Sequence, residues 1–583
     1  MLNRDIFNSQ NNRMAANSLV IDVSRFLLIN GIRNESATFA AIYLARKAMD
    51  YINLIDDYYE LSESNSSSDC VLDMIKILVG ANVSKEHWIQ LRDMCFRYNE
   101  EILEVALMLP YESYPYAPEV ATPESIVKLA NKILNISKND LVGEICSGNG
   151  NYIMNTALEQ TEAAYYGVEI NSLYCSIARA KAEFIQSDIE IELKDAFYLM
   201  LEENERVFTK IFSNYPFGIR LKNLNNANQI IEKLLEEYDG ASKGTSSDWL
   251  FNALIMKLLG VQGKAVAIMT NGSTWNELDV PMRKAFVENG YIESIISLPA
   301  KMFQTTAIPT TMIVMSHNNT DGVRIVDATK LCNMGRRTNE FSDENISEII
   351  NALSNDTEYS RYISIEEIRE NNYSLNLNRY LIQDVEVVNP TPFAKVINKV
   401  TRGAQLSAAQ LDELISEVPT DTQYMMLSNI KEGVIDNNLP YLQSFDKKLE
   451  KYCIKSNNLI LSKNGYPYKV AVATVKEGQN VIGNGNMYIV ELKEELVNPY
   501  YIKAFFESEQ GIAALKSITV GATIQSFGVD SLKKLIIPLP SMEEQLKIAE
   551  RYQKILREIS VLQLKIEEAK SRLKSIFLEE ETN

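Results

Sequence analysis

Asn214, Tyr215, Pro216 and Phe217 stand in direct succession in SNYPFG (213–218), after the short apolar run RVFTKIF and before the polar stretch IRLKNLNNANQ. Strand-end loops of this kind suit chemistry, because the scaffold fixes them while leaving their groups exposed. Pro216 biases Tyr215 toward an extended backbone, which would aim the Tyr215 carbonyl outward. Three upstream strand ends carry further polar groups. EICSGNGNY places Glu144 ahead of Gly148 and Gly150, glycines that permit a tight turn and close approach of backbone to a ligand. Glu169 ends the next run, where a carboxylate can take both ribose hydroxyls of an adenosine group. Asp195, in KDAF, ends the third and can accept from an adenine amino group. A solvated Glu169, an Asp195 that merely caps a helix, and an ordinary G-x-G turn are the plain alternatives. Four such features on successive strands point instead to one site. The absence of G-x-G-x-x-G favours a smaller adenosine ligand over a dinucleotide.

These groups need a scaffold, and the apolar pattern supplies one. Candidate strands are LVGEI (141–145), AYYGVEI (164–170), IEIEL (189–193), FTKIF (208–212), KAVAIMT (264–270), IESIISL (292–298) and TMIVMS (311–316). Their alternation with helical segments predicts a doubly wound α/β sheet, whose ligands bind beyond the carboxyl ends of the strands. Residues 1–115 read as helical, from stretches such as SLVIDVSRFLLI and TFAAIYLARKAMDYINLI. From about 391 short strands and turn signals (NNLP, KNGYP, GNGN) mark another region, which ends in a helix. There Ile548, Tyr552, Ile555, Ile559, Leu562, Ile566, Ala569, Leu573 and Ile576 alternate in steps of four and three, predicting a coiled-coil seam.

With 583 residues, 46% hydrophobic and 23% charged, the chain is large enough for about three globular domains. No run approaches the roughly 20 apolar residues of a membrane span. MLNRDIFNSQNNRM lacks the order of a signal peptide, so a cytoplasmic protein without membrane attachment is expected. Six scattered cysteines without C-x-x-C suggest neither a disulfide framework nor a zinc site. His87 and His317, the two histidines, are far apart, which disfavours imidazole-based catalysis and metal ligation. The net charge of −19 argues against a polyanionic partner only in sum. Residues 391–583 hold 24 basic and 24 acidic side chains, so the whole excess falls on residues 1–390 and DNA contact requires local basic patches. LSKNGYPYKV (461–470), with Lys463 and Lys469 beside tyrosines, is one candidate phosphate-contacting loop; an exposed hairpin is its alternative.

The series TPESIVKLA, EICSGNGNY, YGVEIN, KDAF and SNYPFG resembles the motif order of amino-directed DNA methyltransferases, most closely the modification subunit of Type I restriction-modification systems. GKAVAIMTNGSTW, MRKAFVENGYIESIISLPAKMFQTTAIPTTMIVM, VRIVDATK and EIRENNYSLNLNRYL extend that resemblance downstream. Residues 391–583 resemble half of a Type I specificity subunit, with IPLPSMEEQLKIAERYQKIL leading into its long helix. The resemblance implies an α/β protein with a helical N-terminal domain (1–115), a Rossmann-like methyltransferase domain (116–390), an α+β target-recognition domain (391–540) and a coiled-coil helix (541–583).

It further implies S-adenosylmethionine as cofactor. Thr122 and Pro123 would lie against it, Glu144, Gly148 and Gly150 would form its methionine-side loop, and Glu169 and Asp195 would hold its ribose and adenine. Asn214 to Phe217 would match a catalytic N-P-P-F, in which the asparagine oxygen and the next carbonyl accept from the N6 amino group of a flipped-out adenine. Two departures stand out: D-P-x-C-G-S-G is here E-I-C-S-G-N-G, and Tyr215 replaces the first catalytic proline, with loss of a fixed φ. A degenerate relative that binds DNA or cofactor without methylating, and a transferase acting on cytosine N4, RNA or protein, are the alternative readings. Double-stranded DNA is the expected substrate. One recognition domain with one seam suggests a homodimer, or pairing with a specificity subunit. Without a G-x-x-x-x-G-K-[ST] loop the chain should not itself drive translocation, and without a P-D…(D/E)-x-K arrangement ahead of the methyltransferase, cleavage would fall to a separate restriction subunit.

Overall fold

Leu141–Ile145 (β1) is buried over almost its whole length, as expected of a strand covered on both faces. It pairs in parallel with Ala164–Glu169 (β2) on one side and Phe208–Ser213 (β4) on the other. Asp188–Leu193 (β3) adds to β2 in parallel and forms one edge of the sheet; it keeps only Ile191 buried, a polar edge that resists further pairing. Beyond β4 follow Leu259–Thr270 (β5), Thr310–Ser316 (β7), Ile292–Ser297 (β6), Gly322–Asp327 (β8) and Ser360–Ser364 (β9). The nine-stranded order is β3-β2-β1-β4-β5-β7-β6-β8-β9, with β7 antiparallel to both its neighbours. The chain moves outward from β1 to β3 and returns beside β1 as β4. That reversal opens a crevice beyond the carboxyl ends of β1 and β4. All seven strands expected from the sequence are present; β8 and β9 are additional.

This computed structural model describes residues 2–50, 69–109, 122–201, 206–219, 228–303, 309–336, 338–381, 389–431, 433–436, 438–443, 447–520 and 525–579. The chain divides into two compact units, Met1–Leu377 and Asn378–Asn583. In the first, the helices Gln10–Ile29, Glu35–Asp50, Cys70–Gly80, Lys85–Cys95 and Glu100–Met108 share one continuous core with the sheet and its helices. Arg13 binds Glu124 through both guanidinium nitrogens, at 2.8 and 3.4 Å, and Lys47 pairs with Glu183 at 2.8 Å. The expected domain limit at 115/116 lies outside the described residues.

The second unit holds a four-stranded antiparallel sheet, in spatial order Ile397–Arg402, Met487–Leu492, Leu459–Ser462 and Val470–Val472. Its entry and exit segments pair, Thr391 opposite Ile537. The terminal helix Met542–Glu579 follows. Its first turns pack on the helix Pro499–Glu507: Gln545 and Ala549 are buried, and the Tyr552 hydroxyl accepts from Lys503 at 2.9 Å and donates to Glu507. Tyr552 therefore faces inward within its own unit, unlike Ile548, Ile555, Ile559, Leu562 and Ile566, which form an exposed apolar stripe. The side chains of Leu573 and Ile576 lie outside the described residues. Both histidines are structural: His87 completes a capping box at the helix Lys85–Cys95, and His317 lies 3.4 Å from the Leu259 carbonyl.

Candidate active site

The crevice between β1 and β4 contains a cavity of about 300 Å3. The ends of four successive strands build it. β1 contributes Glu144 and passes into Cys146–Gly150; β2 contributes Glu169 and Ile170; the turn after β3 contributes Lys194, Asp195 and Phe197; β4 runs out into Asn214–Phe217. The Ser213 hydroxyl donates to the Ile145 carbonyl at 2.6 Å, stitching β1 to β4 immediately before Asn214.

The loop after β1 is shaped by left-handed backbone. Gly148 and Gly150 have φ of +54° and +74°, and a side chain at Gly150 would meet Ala178 and Met154 at 3.1 Å. Glu169 fixes this loop: one carboxylate oxygen accepts from Gly148 N–H and the other from Asn171 N–H, each at 2.7 Å. Glu144 accepts from Ile153 N–H at 3.2 Å at the start of the helix Asn151–Glu159. Burial, with the Glu169 charge adding, holds its carboxyl well above the usual carboxylate range, against the lowering effects of Ile153 N–H and Lys181. Asp195 accepts from Phe197 N–H at 3.1 Å and so closes its own turn while lining the cavity.

Thr122 enters from the segment ahead of the helix Glu124–Leu134. Its carbonyl accepts from Asn151 Nδ2 at 2.6 Å, and its hydroxyl accepts from Asn214 Nδ2 at 3.2 Å, which orients the Asn214 amide. Phe217 meets Phe303 edge to face at 5.9 Å. Tyr215 turns inward: its ring stacks on Phe251 at 4.8 Å and 12°, and its hydroxyl donates to Asn252 Oδ1 at 3.1 Å.

Of the residues singled out in the sequence, Thr122, Glu144, Gly148, Glu169, Asp195 and Asn214–Phe217 line this one cavity. Pro123 and Gly150 do not line it and are the N-terminal caps of the helices Glu124–Leu134 and Asn151–Glu159. The lining residues Ser147, Asn151, Tyr174, Phe197 and Phe251 were not foreseen as site residues. Phe197 was within reach, because it ends the KDAF segment; Phe251 carries no local signal. Lys463 and Lys469 lie in the other unit. Lys469 donates to the carbonyls of Leu427 and Ile430, at 2.8 Å each, and braces that loop; Lys463 stands near Arg402, and burial together with that charge lowers its pKa.

The donor set fits an adenosine-bearing ligand. The Ser147 hydroxyl is buried against the cavity without a hydrogen-bond partner among the described residues, an orphan that a ligand's polar group would satisfy. Glu169 and Asp195 would be acceptors for hydroxyls and an amino group, and the exposed Ile170 and the buried Phe197 would offer apolar contact for a base. Among the described residues no cluster of metal-ligating side chains occurs.

Residues 113–387 match the family described as N-6 DNA Methylase, and residues 419–571 match the Type I restriction modification DNA specificity domain. The chain is 24% identical over 292 residues to the Type I restriction enzyme MpnII methylase subunit of Mycoplasma pneumoniae, covering 46% of this chain and 54% of that one. It is 24% identical over 327 residues to the MjaVII methylase subunit of Methanocaldococcus jannaschii, covering 52% and 55%. The chain thus spans about half the length of the curated relatives it matches. In fold it is similar to the methyltransferase subunit of a type I restriction-modification system from Streptococcus thermophilus, with TM-score 0.50 and 20% identity, covering 60% of this chain and 80% of that one. The chain thus carries an N-6 DNA methylase domain over residues 113–387 and a type I restriction modification DNA specificity domain over residues 419–571, in one polypeptide.

Proposed function

We propose that this chain is a site-specific DNA methyltransferase that moves a methyl group from S-adenosylmethionine to the N6 amino group of a flipped-out adenine. The observation that carries this reading is the convergence of four strand ends and Asn214–Phe217 on one cavity. Glu169 takes the ribose hydroxyls, Asp195 the adenine amino group of the cofactor, and the Ser147–Gly150 loop its amino-acid end. S-adenosylmethionine supplies a methyl already activated by the positive charge on sulfur.

The protein's own task is mainly orientation. The target amino group donates to the Asn214 amide oxygen and to the Tyr215 carbonyl, which draws the nitrogen lone pair out of ring conjugation and aims it at the methyl. Thr122 holds the Asn214 amide in place through the 3.2 Å hydrogen bond. Phe217 stacks on the extruded base. As the N–C bond forms, the bond from methyl to sulfur would break to leave a neutral thioether, and the methylated nitrogen, now cationic and strongly acidic, would lose its surplus proton to solvent, so no strong base is required.

Target choice falls to the second unit, with Lys463 as a phosphate-contacting candidate and Lys469 behind it. Two copies pair through the exposed stripe Ile548, Ile555, Ile559, Leu562 and Ile566 and read a bipartite symmetric sequence. Cleavage belongs to a separate restriction polypeptide, and the assembly works in the cytoplasm. Incubating purified protein with duplex DNA and methyl-labelled S-adenosylmethionine tests the central reaction. Label in N6-methyladenine that disappears in Asn214→Ala supports it; label in cytosine, or none in DNA, overturns it.

A further inference from the structure

The replacement of a proline by Tyr215 removes a covalent restraint on the chain at the position whose carbonyl the proposed reaction uses. Across 214–219 the side chains of Asn214, Phe217 and Ile219 are half-buried, Pro216 and Gly218 are exposed, and Tyr215 alone is fully buried. Beside the Asn214–Thr122 hydrogen bond and the Phe217–Phe303 contact, Tyr215 is thus the deepest anchor of this segment. The ring lies flat on Phe251, which meets Phe197 at 5.2 Å on the cavity wall. The hydroxyl reaches Asn252, which is 0% exposed. The amide nitrogen of Asn252 faces Met269 Sδ at 4.0 Å, a weak acceptor, so the Tyr215 hydroxyl is its short polar contact.

The helix Ser247–Leu258 that presents both partners is itself pinned. Ser246 N–H and hydroxyl donate to Asp279 at 2.7 and 2.6 Å, and Asp248 accepts from Thr270 and Ser273. The stack fixes the plane of the Tyr215 ring, and the hydrogen bond fixes the ring's position within that plane. Two restraints at opposite ends of a side chain with two rotatable bonds leave the main chain at 215 little freedom.

We propose that Tyr215, anchored by Phe251 and Asn252, substitutes side-chain anchoring for the missing proline ring, and that Asn252 is a positioning residue for the carbonyl of residue 215. This inference rests on the methyltransferase reading and deepens it.

The test compares Tyr215→Phe, Asn252→Leu and the double variant in the full-length protein. Removing one partner leaves a buried polar group unsatisfied, whereas removing both is close to neutral for stability. Both single variants should unfold at lower urea, and the double should recover. Single-turnover methyl transfer should fall about tenfold, the scale set by one lost hydrogen bond, in all three variants. Cofactor Kd should stay within about twofold, and amide exchange across 213–218 should quicken. A rate that recovers in the double variant together with stability would reduce the pair to a packing element and overturn the proposal. If the wild-type chain transfers no methyl, the methyltransferase reading falls. Exchange then decides the anchor alone: quickened exchange in the double variant supports it, and unchanged exchange overturns it.

Discussion

Glu169→Gln isolates the contribution of one carboxylate to the cofactor loop. In the wild-type protein the two oxygens each accept a main-chain N–H at 2.7 Å, from Gly148 and Asn171. A carboxamide has one acceptor oxygen, so one of the two N–H groups would face an NH2 group. Hydrogen bonds to charged groups contribute about 1.5–3 kcal/mol, and a buried donor left without an acceptor costs about 1–3 kcal/mol. Allowing for relaxation, the expected loss of stability is about 2–3 kcal/mol. The ribose would also lose a charged acceptor, weakening cofactor binding by about tenfold or more. All three tryptophans, Trp88, Trp249 and Trp275, lie in the unit Met1–Leu377, so intrinsic fluorescence during urea unfolding follows the unit that contains the site. Calorimetric titration with S-adenosylhomocysteine measures the binding loss. A variant that unfolds at the wild-type urea concentration and binds with the wild-type Kd would refute the reasoning about Glu169.

Other perturbations follow the same geometry. Burial raises the Glu144 pKa, so the folded protein keeps a proton that the unfolded chain releases near pH 4.3. Wild-type stability should then decline as pH rises above that value toward the folded pKa, while Glu144→Gln, which still accepts from Ile153, should lack this component. Parallel urea-midpoint profiles for the two proteins would contradict this. Gly167→Ala would bring a Cβ within 2.7 Å of Ile191, 2.9 Å of Ile153 and 3.2 Å of Ser147. It should cost about 1–3 kcal/mol and weaken cofactor binding through displacement of Ser147, read by urea unfolding and titration; a neutral variant would count against this packing. Truncation after Arg557 keeps Gln545, Ala549 and Tyr552 against their own unit but removes Ile559, Leu562 and Ile566. Light scattering should show a monomer with unchanged cofactor affinity; a persisting dimer would sink the pairing surface.

The strands that carry the site were legible because each is a short, nearly continuous apolar run, the pattern of a strand buried on both faces. The polar β3 carries the run IEIEL, in which apolar and acidic residues alternate. Gly322–Asp327 and Ser360–Ser364 are not marked as strands by their sequence: the first has Arg324 in the middle of its apolar run, and the second is an edge strand with Arg361 paired to Glu367. Cavity residues at strand ends were readable because topology brings strand ends together. Phe251 on the cavity wall and Asn252 behind Tyr215 were not, since their helix comes from a separate part of the chain. For Tyr215 the sequence reveals the missing proline ring but not the partners of the tyrosine. In the terminal helix the step of four and three included Tyr552, whose hydroxyl is engaged by Lys503 and Glu507 within the same unit. Periodicity locates a face without saying what covers each position along it.

Adenine-N6 methylation at a defined sequence is the activity proposed for this chain. Single-molecule modified-base sequencing of DNA from a methylation-free host expressing the wild-type protein, beside an Asn214→Ala control, tests it most directly. N6-methyladenine should be confined to one bipartite motif and absent from the control. An unmodified genome in cells containing soluble wild-type protein, or modification that survives Asn214→Ala, would contradict it.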